Sequence, residues 1–372
     1  MTREQICEQT ARSLERAGEL RSISATVGLD GFVDSIIDVV DKRHSADRYE
    51  PVRTIEAFGK KVLAAAGASS NYELVIKQQK LGGNGPIMAN ALASLGLDVT
   101  YIGNLGYPAI HPAFAEFARR AKVHSIAEPG ATDALEFEDG KLMLNKLGPL
   151  LEVNWQNLVG RVGIDALRGL MNRSRVIGMV NWTMLPAMSD IWAHLLEIVA
   201  PDAAAPRMLF VDLADPEKRT AADIREALEL LRRFEQKLPV TLGLNLKEAG
   251  AVARVLGLSH GDAEEAIENT ARLIRKELQI DCVVIHPRKG AAAATADHSA
   301  GFAGPFVRQP KISTGAGDHF NAGFCLGRLL GMDLEQSLCV GVGASGYYVR
   351  SGMSPTADDL ARFIATLPPP QT

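Results

Sequence analysis

The sequence predicts an α/β fold with a mostly parallel central sheet, helices on both faces in three layers, and a small second β-sheet. Three observations carry this. Residues 174–180, 207–213, 239–245 and 281–286 are continuous apolar runs, and helical stretches such as 222–234 and 262–278 alternate with them. Strands covered on both faces read as unbroken apolar runs, and their alternation with amphipathic helices marks βαβ units. Residues 135–144 instead alternate apolar and polar around Asp139-Gly140, the pattern of a hairpin with one covered face. Finally, glycines cluster at 28–31, 82–85 and 315–317, each where an extended run meets a turn or helix.

The elements follow in order. Ile6, Leu14 and Ala17 recur at helical spacing, so residues 3–20 open the chain as a helix. Residues 24–40 read as a β-branched strand running into a turn, and 54–68 as a helix. Residues 72–79 alternate and predict a strand. After the glycines at 82–85 comes a helix that stops at Gly96, then a strand at 99–103 and a helix at 111–121 with Pro112 near its start. The C-terminal 367–372, rich in proline, reads as a frayed tail. No Pro/Ser-rich linker divides the 372 residues, so a single domain over 1–372 is expected.

Composition sets limits. With 47% hydrophobic residues the chain can bury a large core. Forty basic against 44 acidic residues leave a net charge of -4, so no broad basic field exists to hold nucleic acid. No apolar run nears the ~18 residues that span a bilayer, and the N-terminus lacks an apolar leader. Four scattered cysteines without a CxxC pair suit a reducing cytoplasm.

The strongest local signal lies at 311–331. A short extended piece meets Gly315-Ala316-Gly317, and a helix follows with Asp318 in its first turn. Free N–H groups at a helix start, with no Cβ in the way, suit a phosphate. Asp318 can accept the proton of an attacking hydroxyl; the helix dipole would make it a weak base, which a loose phosphoryl-transfer transition state tolerates. An ordinary capped helix has the same pattern. Gly82, Gly83, Asn84 and Gly85 form a second tight loop before a helix, without completing GxGxxG. Asp30 and Asp34 end an apolar strand, where carboxylates meet ligand hydroxyls or simply cap a helix. Asn245 and Glu248 sit three apart after another strand; they can steer Mg²⁺-bound water or phosphate, or form a capping box. HExxH and GxSxG are absent, and the eight histidines form no ligand-spaced pair.

In this order, the pieces resemble the PfkB (ribokinase-like) family of carbohydrate and nucleoside kinases over about residues 24–365, most specifically in STGAGDHFNAGF. The resemblance implies a ribokinase-like fold and ATP-dependent, Mg²⁺-assisted transfer to a sugar hydroxyl in the cytoplasm. By position, Asp318 matches the catalytic base, and Gly315, Ala316 and Gly317 match the anion hole. Asn245 and Glu248 match the motif acting on Mg²⁺ and phosphate, Glu248 indirectly, with Gly290 on the nucleotide side. Gly82, Gly83, Asn84, Asp34 and Asp30 fall on the substrate side. A lid would form from segments near 36–80 and 125–150, and it could pair two subunits into a homodimer. The chain departs from the family at Ile87 (usually Asn), Tyr107 (Asp), Pro287 (Gly) and His319 (a small hydroxyl residue), and about thirty extra residues lie at 42–80. A nucleoside kinase, an ADP-dependent sugar kinase and a binding protein without turnover are the alternatives. Trp155 or Phe137 facing a base would favour the nucleoside.

Overall fold

The computed structural model describes residues 1–201, 206–259 and 266–370. Among the described residues, nine strands form one sheet: β1 (Ser24–Leu29), β5 (Asp98–Gly103), β6 (Lys122–Ser125), β9 (Val176–Val180), β10 (Met208–Asp212), β11 (Val240–Leu244), β12 (Cys282–Ile285), β13 (Gly290–Ala294) and β14 (Ser299–Ala303). Their order is β14-β13-β12-β11-β10-β9-β1-β5-β6. All neighbours are parallel except the β12–β13 and β13–β14 pairs. The four apolar runs are therefore β9 to β12, each fully buried.

Alternate side chains of these strands feed two cores. Met208 and Phe210 pack with Val284 on one face, against helices Asn84–Ser94 and Ala316–Leu329. Leu209 and Val211 pack with Ile285 on the other, against helices Ala221–Glu235 and Ile267–Leu278. Each such buried side chain contributes roughly 1.5–3 kcal/mol, so both cores drive the strands into one layer. The expected 262–278 helix is seen from 267; residues 262–265 lie outside the described residues, as do 371–372 of the expected tail.

The second sheet has the order β3-β2-β7-β8, with β4 also paired to β2: β2 (Phe32–Arg43), β3 (Tyr49–Pro51), β4 (Leu74–Gly82), β7 (Gly130–Phe137) and β8 (Gly140–Lys146). Three sequence readings change here. Residues 24–40 are two strands, because the chain leaves the large sheet at Asp30-Gly31 and enters the small one as β2. The strand at 72–79 runs on to Gly82, delivering the glycine loop directly from the small sheet. The hairpin is present, but its two-residue turn is Glu138-Asp139, one residue earlier than expected, because Gly140 already pairs with Phe137 as the first residue of β8. Ile37, Val39, Val52 and Leu135 give this sheet its own small core.

Candidate active site

The site forms where the carboxyl ends of β1, β10 and β11 face the starts of helices Asn84–Ser94 and Ala316–Leu329. Gly315 precedes the second of these in the left-handed region, at φ +90°. Its helix therefore starts abruptly. The Ala316 N–H reaches the Ser313 carbonyl at 3.2 Å. The N–H groups of Gly317 and Asp318 have no protein acceptor among the described residues. They are free donors at the start of the helix.

Asp318 is 6% exposed and accepts the Asn84 side-chain N–H at 3.0 Å. Burial, then repulsion from Asp212, pushes its carboxyl well above the ordinary value, against the Asn84 bond. The helix dipole had suggested a weak base. Desolvation and neighbouring carboxylates win, so Asp318 is a stronger proton acceptor than expected once ionised.

The two strand-end aspartates differ in role. Asp30 is wholly enclosed. Its oxygens accept the N–H groups of Asn84 at 3.0 Å and Gly85 at 2.8 Å, and the Asn181 amide at 2.8 Å. Burial raises its carboxyl to about 6 despite these bonds. Through these bonds Asp30 holds the glycine loop, and, fully buried, it lines neither of the two cavities of this site. Asp34 lines a cavity of about 630 Å³ with Ile87, Asn90, Thr314, His319 and Tyr348. Burial raises its carboxyl too, opposed by Thr132. Gly82 lies directly against the Asp34 carboxylate, and Gly83 against Asp30.

Asn245 and Glu248 do form the capping box: Asn245 Oδ1 accepts the Glu248 N–H at 3.0 Å, and Glu248 accepts the Asn245 N–H at 2.8 Å. The box does not exclude chemistry. Glu248 is buried and also accepts the Asp215 N–H at 2.9 Å. Burial and the nearby Asp212 raise it to about 8. Asp212, at the end of β10, accepts the Asn321 amide at 2.8 Å and rises to about 6 by burial. Sequence reasoning missed Asp212, although it ends an apolar run just as Asp30 does.

A second cavity of about 410 Å³ adjoins this corner, lined by Asn245, His286, Gly290, Phe306, Ala316 and Gly317. Pro287, the departure from the family pattern, is in its wall. Both cavities reach the same helix start: Ala316 and Gly317 line one, Thr314 and His319 the other, and the buried Asp318 lies between Gly317 and His319 in the chain, lining neither. Trp155 stacks on His194 and Phe137 on Phe58, and neither ring lines either of these two cavities, so neither faces the acceptor cavity as a nucleoside site would have it.

Comparison with known proteins agrees with this geometry. A family model described as prokaryotic ketohexokinase matches residues 4–366. A ketohexokinase of Haloferax volcanii is 31% identical over 339 residues, 90% of this chain and 89% of that one. Among solved structures, an Arabidopsis thaliana ribokinase complexed with ribose and ATP aligns with TM-score 0.64 at 16% identity, over 92% of this chain and 98% of that one. A phosphofructokinase-2 mutant from Escherichia coli aligns with TM-score 0.65 at 14% identity, over 92% and 98%. An adenosine kinase from Sinorhizobium meliloti gives 0.64 at 18%, with the same coverage. At these identities the structures share the ribokinase fold.

Proposed function

The chain belongs to the prokaryotic ketohexokinase family, making it a PfkB-type carbohydrate kinase that uses ATP, and we propose that its acceptor is a ketohexose such as fructose. The observation that carries the mechanism is the buried Asp318 placed between Gly317, which lines one cavity, and His319, which lines the other, in a helix start with free N–H groups. The sugar occupies the Asp34 cavity and the nucleotide the cavity beside His286.

In this reading Asp34 and Asn84 grip sugar hydroxyls and bring one hydroxymethyl group to Asp318. Asp318 orients that oxygen and takes its proton as the bond to the γ-phosphorus forms and the bond from that phosphorus to ADP breaks. The N–H groups of Gly317 and Asp318 receive the charge that grows on the phosphoryl oxygens. Asp30 acts from behind, fixing the backbone of Asn84 and so the amide that reaches Asp318.

Magnesium fits the corner made by Asp212 and Glu248. Their carboxyls are driven upward by burial, and Glu248 further by the charge of Asp212, an excess of negative charge that a cation would relieve. Bound there with nucleotide, Mg²⁺ supplies charge neutralisation of the phosphates. Glu248 and Asn245 would hold it through water, since Glu248 already accepts two N–H groups.

The small sheet acts as a lid that excludes water from the acceptor cavity. We also read this sheet as a homodimer contact. Leu74, Ile76, Met143 and Leu144 expose 40–55% of their surface on its strands, which favours pairing with a second copy. The cytoplasm is the proposed compartment, supported by four cysteines that are all free thiols. No helix among the described residues is long and apolar enough to cross a membrane.

The test is an acceptor panel: ketohexoses, aldohexoses, pentoses and nucleosides, each with Mg·ATP and Mg·ADP, following nucleotide product. The reading expects a ketohexose with ATP to have the highest kcat/KM. A nucleoside as best acceptor, or ADP as the only donor, overturns it.

A further inference from the structure

His319 follows the proposed base directly. It is 1% exposed, and its ring stacks on that of Tyr348 with centroids 3.6 Å apart and planes 13° apart. Its Nδ1 lies 2.7 Å from the Gly315 carbonyl oxygen and its Nε2 2.9 Å from Ser354 Oγ. A carbonyl only accepts, so Nδ1 carries the proton. Burial pushes the ring down to about 4, so it is neutral at pH 7 and has a single N–H. Nε2 must then accept the Ser354 hydroxyl.

The row extends further. Ser354 Oγ takes an N–H from Asn90 Nδ2 at 3.1 Å. The Asn90 amide is oriented by Arg120, a pure donor, whose Nη1 lies 3.5 Å from Asn90 Oδ1. Every bond therefore runs one way, from Arg120 through Asn90, Ser354 and His319 to the Gly315 carbonyl. Tyr348 repeats the action one residue earlier, donating its hydroxyl to the Thr314 carbonyl at 3.0 Å. Two consecutive carbonyls are thus pinned by stacked side chains at the turn where φ is +90°. In a planar trans peptide the N–H points opposite to the C=O, so pinning the Gly315 carbonyl, which also accepts the His319 backbone N–H at 3.1 Å, aims the Ala316 N–H, one residue before the free Gly317 and Asp318 N–H groups.

We propose that His319 is a positioning residue for phosphoryl transfer: as the Nδ1–H tautomer it fixes the Gly315 peptide and so sets the amide groups that open helix Ala316–Leu329. The proposal rests on the reading of that helix start as the phosphoryl site. Neither hydrogen bond requires substrate, so the arrangement is set in the free enzyme.

The test compares His319→Phe, which keeps a ring on Tyr348 and removes both bonds, with His319→Asn, which keeps an N–H near the place of Nδ1. With Mg·ATP and fructose, kcat of the Phe variant should fall roughly 10–100-fold with the fructose KM little changed, and Asn should recover most of it. Ser354→Ala, which removes only the far bond, should show a smaller fall. A folded Phe variant with parental kcat overturns the proposal, as does an Asn variant no better than Phe. Calorimetric ADP binding and thermal melts establish that the variants are folded. Nitrogen-15 NMR of the parent tests the tautomer without any variant: Nδ1–H is expected, and Nε2–H overturns the proposal. Asp318→Asn run in parallel separates the two levels. Parental turnover in that variant sinks the phosphoryl-site reading itself. Its loss beside an unimpaired His319→Phe overturns only the role of His319.

Discussion

Gly82→Ala is a one-carbon change whose effect can be worked from the structure. Gly82 ends β4 opposite Phe32, and Asp34 is the diagonal neighbour on β2. A Cβ at Gly82 would stand 2.6 Å from Asp34 Oδ2 and closer still to its Cγ and Oδ1, whereas ordinary contact begins at 3.4 Å. The closest atoms set the shift: 3.4 less 2.4 means the carboxylate must retreat by about 1.0 Å. That is enough to break a hydrogen bond from a sugar hydroxyl. A bond to a charged group contributes about 1.5–3 kcal/mol, so kcat/KM for the sugar should fall roughly 10–150-fold. The assay is initial rate against ketohexose concentration at saturating Mg·ATP, with the KM for ATP as internal control. A folded variant whose kcat/KM for sugar stays within about twofold of the parent, well under one tenfold step of 1.4 kcal/mol, would refute the placement of Asp34 on the acceptor.

Gly317→Val should lower kcat by about 10²-fold or more, since a side chain intrudes where the anion approaches the amides; even its Cβ lies 3.2 Å from His286 Cε1. Near-normal turnover in steady-state assays would count against the anion hole. Glu248 has its carboxyl raised from 4.5 to about 8, so its favourable contribution is complete below pH 4.5 and lost as pH rises through 8. Glu248→Gln should therefore gain stability relative to the parent across that window in denaturant unfolding of the metal-free protein; a constant difference would refute the burial penalty on the charged carboxylate. In the core, Leu92→Ala removes a side chain with no exposed surface and should cost about 2–5 kcal/mol, read as a lower denaturation midpoint at unchanged m-value.

The sequence shows the central sheet plainly because β9 to β12 are buried on both faces, which leaves unbroken apolar runs. It hides β13 and β14, where Gly290–Ala294 is four alanines after a glycine. Alanine has no strand preference, and that hairpin forms because it pairs with β12 and packs on the core. The passage from β1 to β2 is hidden too: both pieces are apolar, and only the turn at Asp30-Gly31 separates the two sheets. At the site, local motifs give the glycine loops, Asp318 and the Asn245–Glu248 pair. They do not give Asp212, Asn181 or Asn321, lone residues whose meaning comes from partners more than a hundred positions away. The same holds for Asp318 as a base. A helix start lowers a carboxylate, but burial, and after it the charge of Asp212, pushes Asp318 the other way, and both exist only in the fold.

In the proposed mechanism Asp318 carries a hydroxyl proton away during transfer from Mg·ATP to a ketohexose. Single-turnover phosphorylation of fructose by the parent and by Asp318→Asn tests it most directly, with ADP binding to both measured alongside. The account predicts rapid product formation by the parent and a fall of about 10²–10⁴-fold in the variant at equal ADP affinity. Equal rates in the two proteins would contradict it.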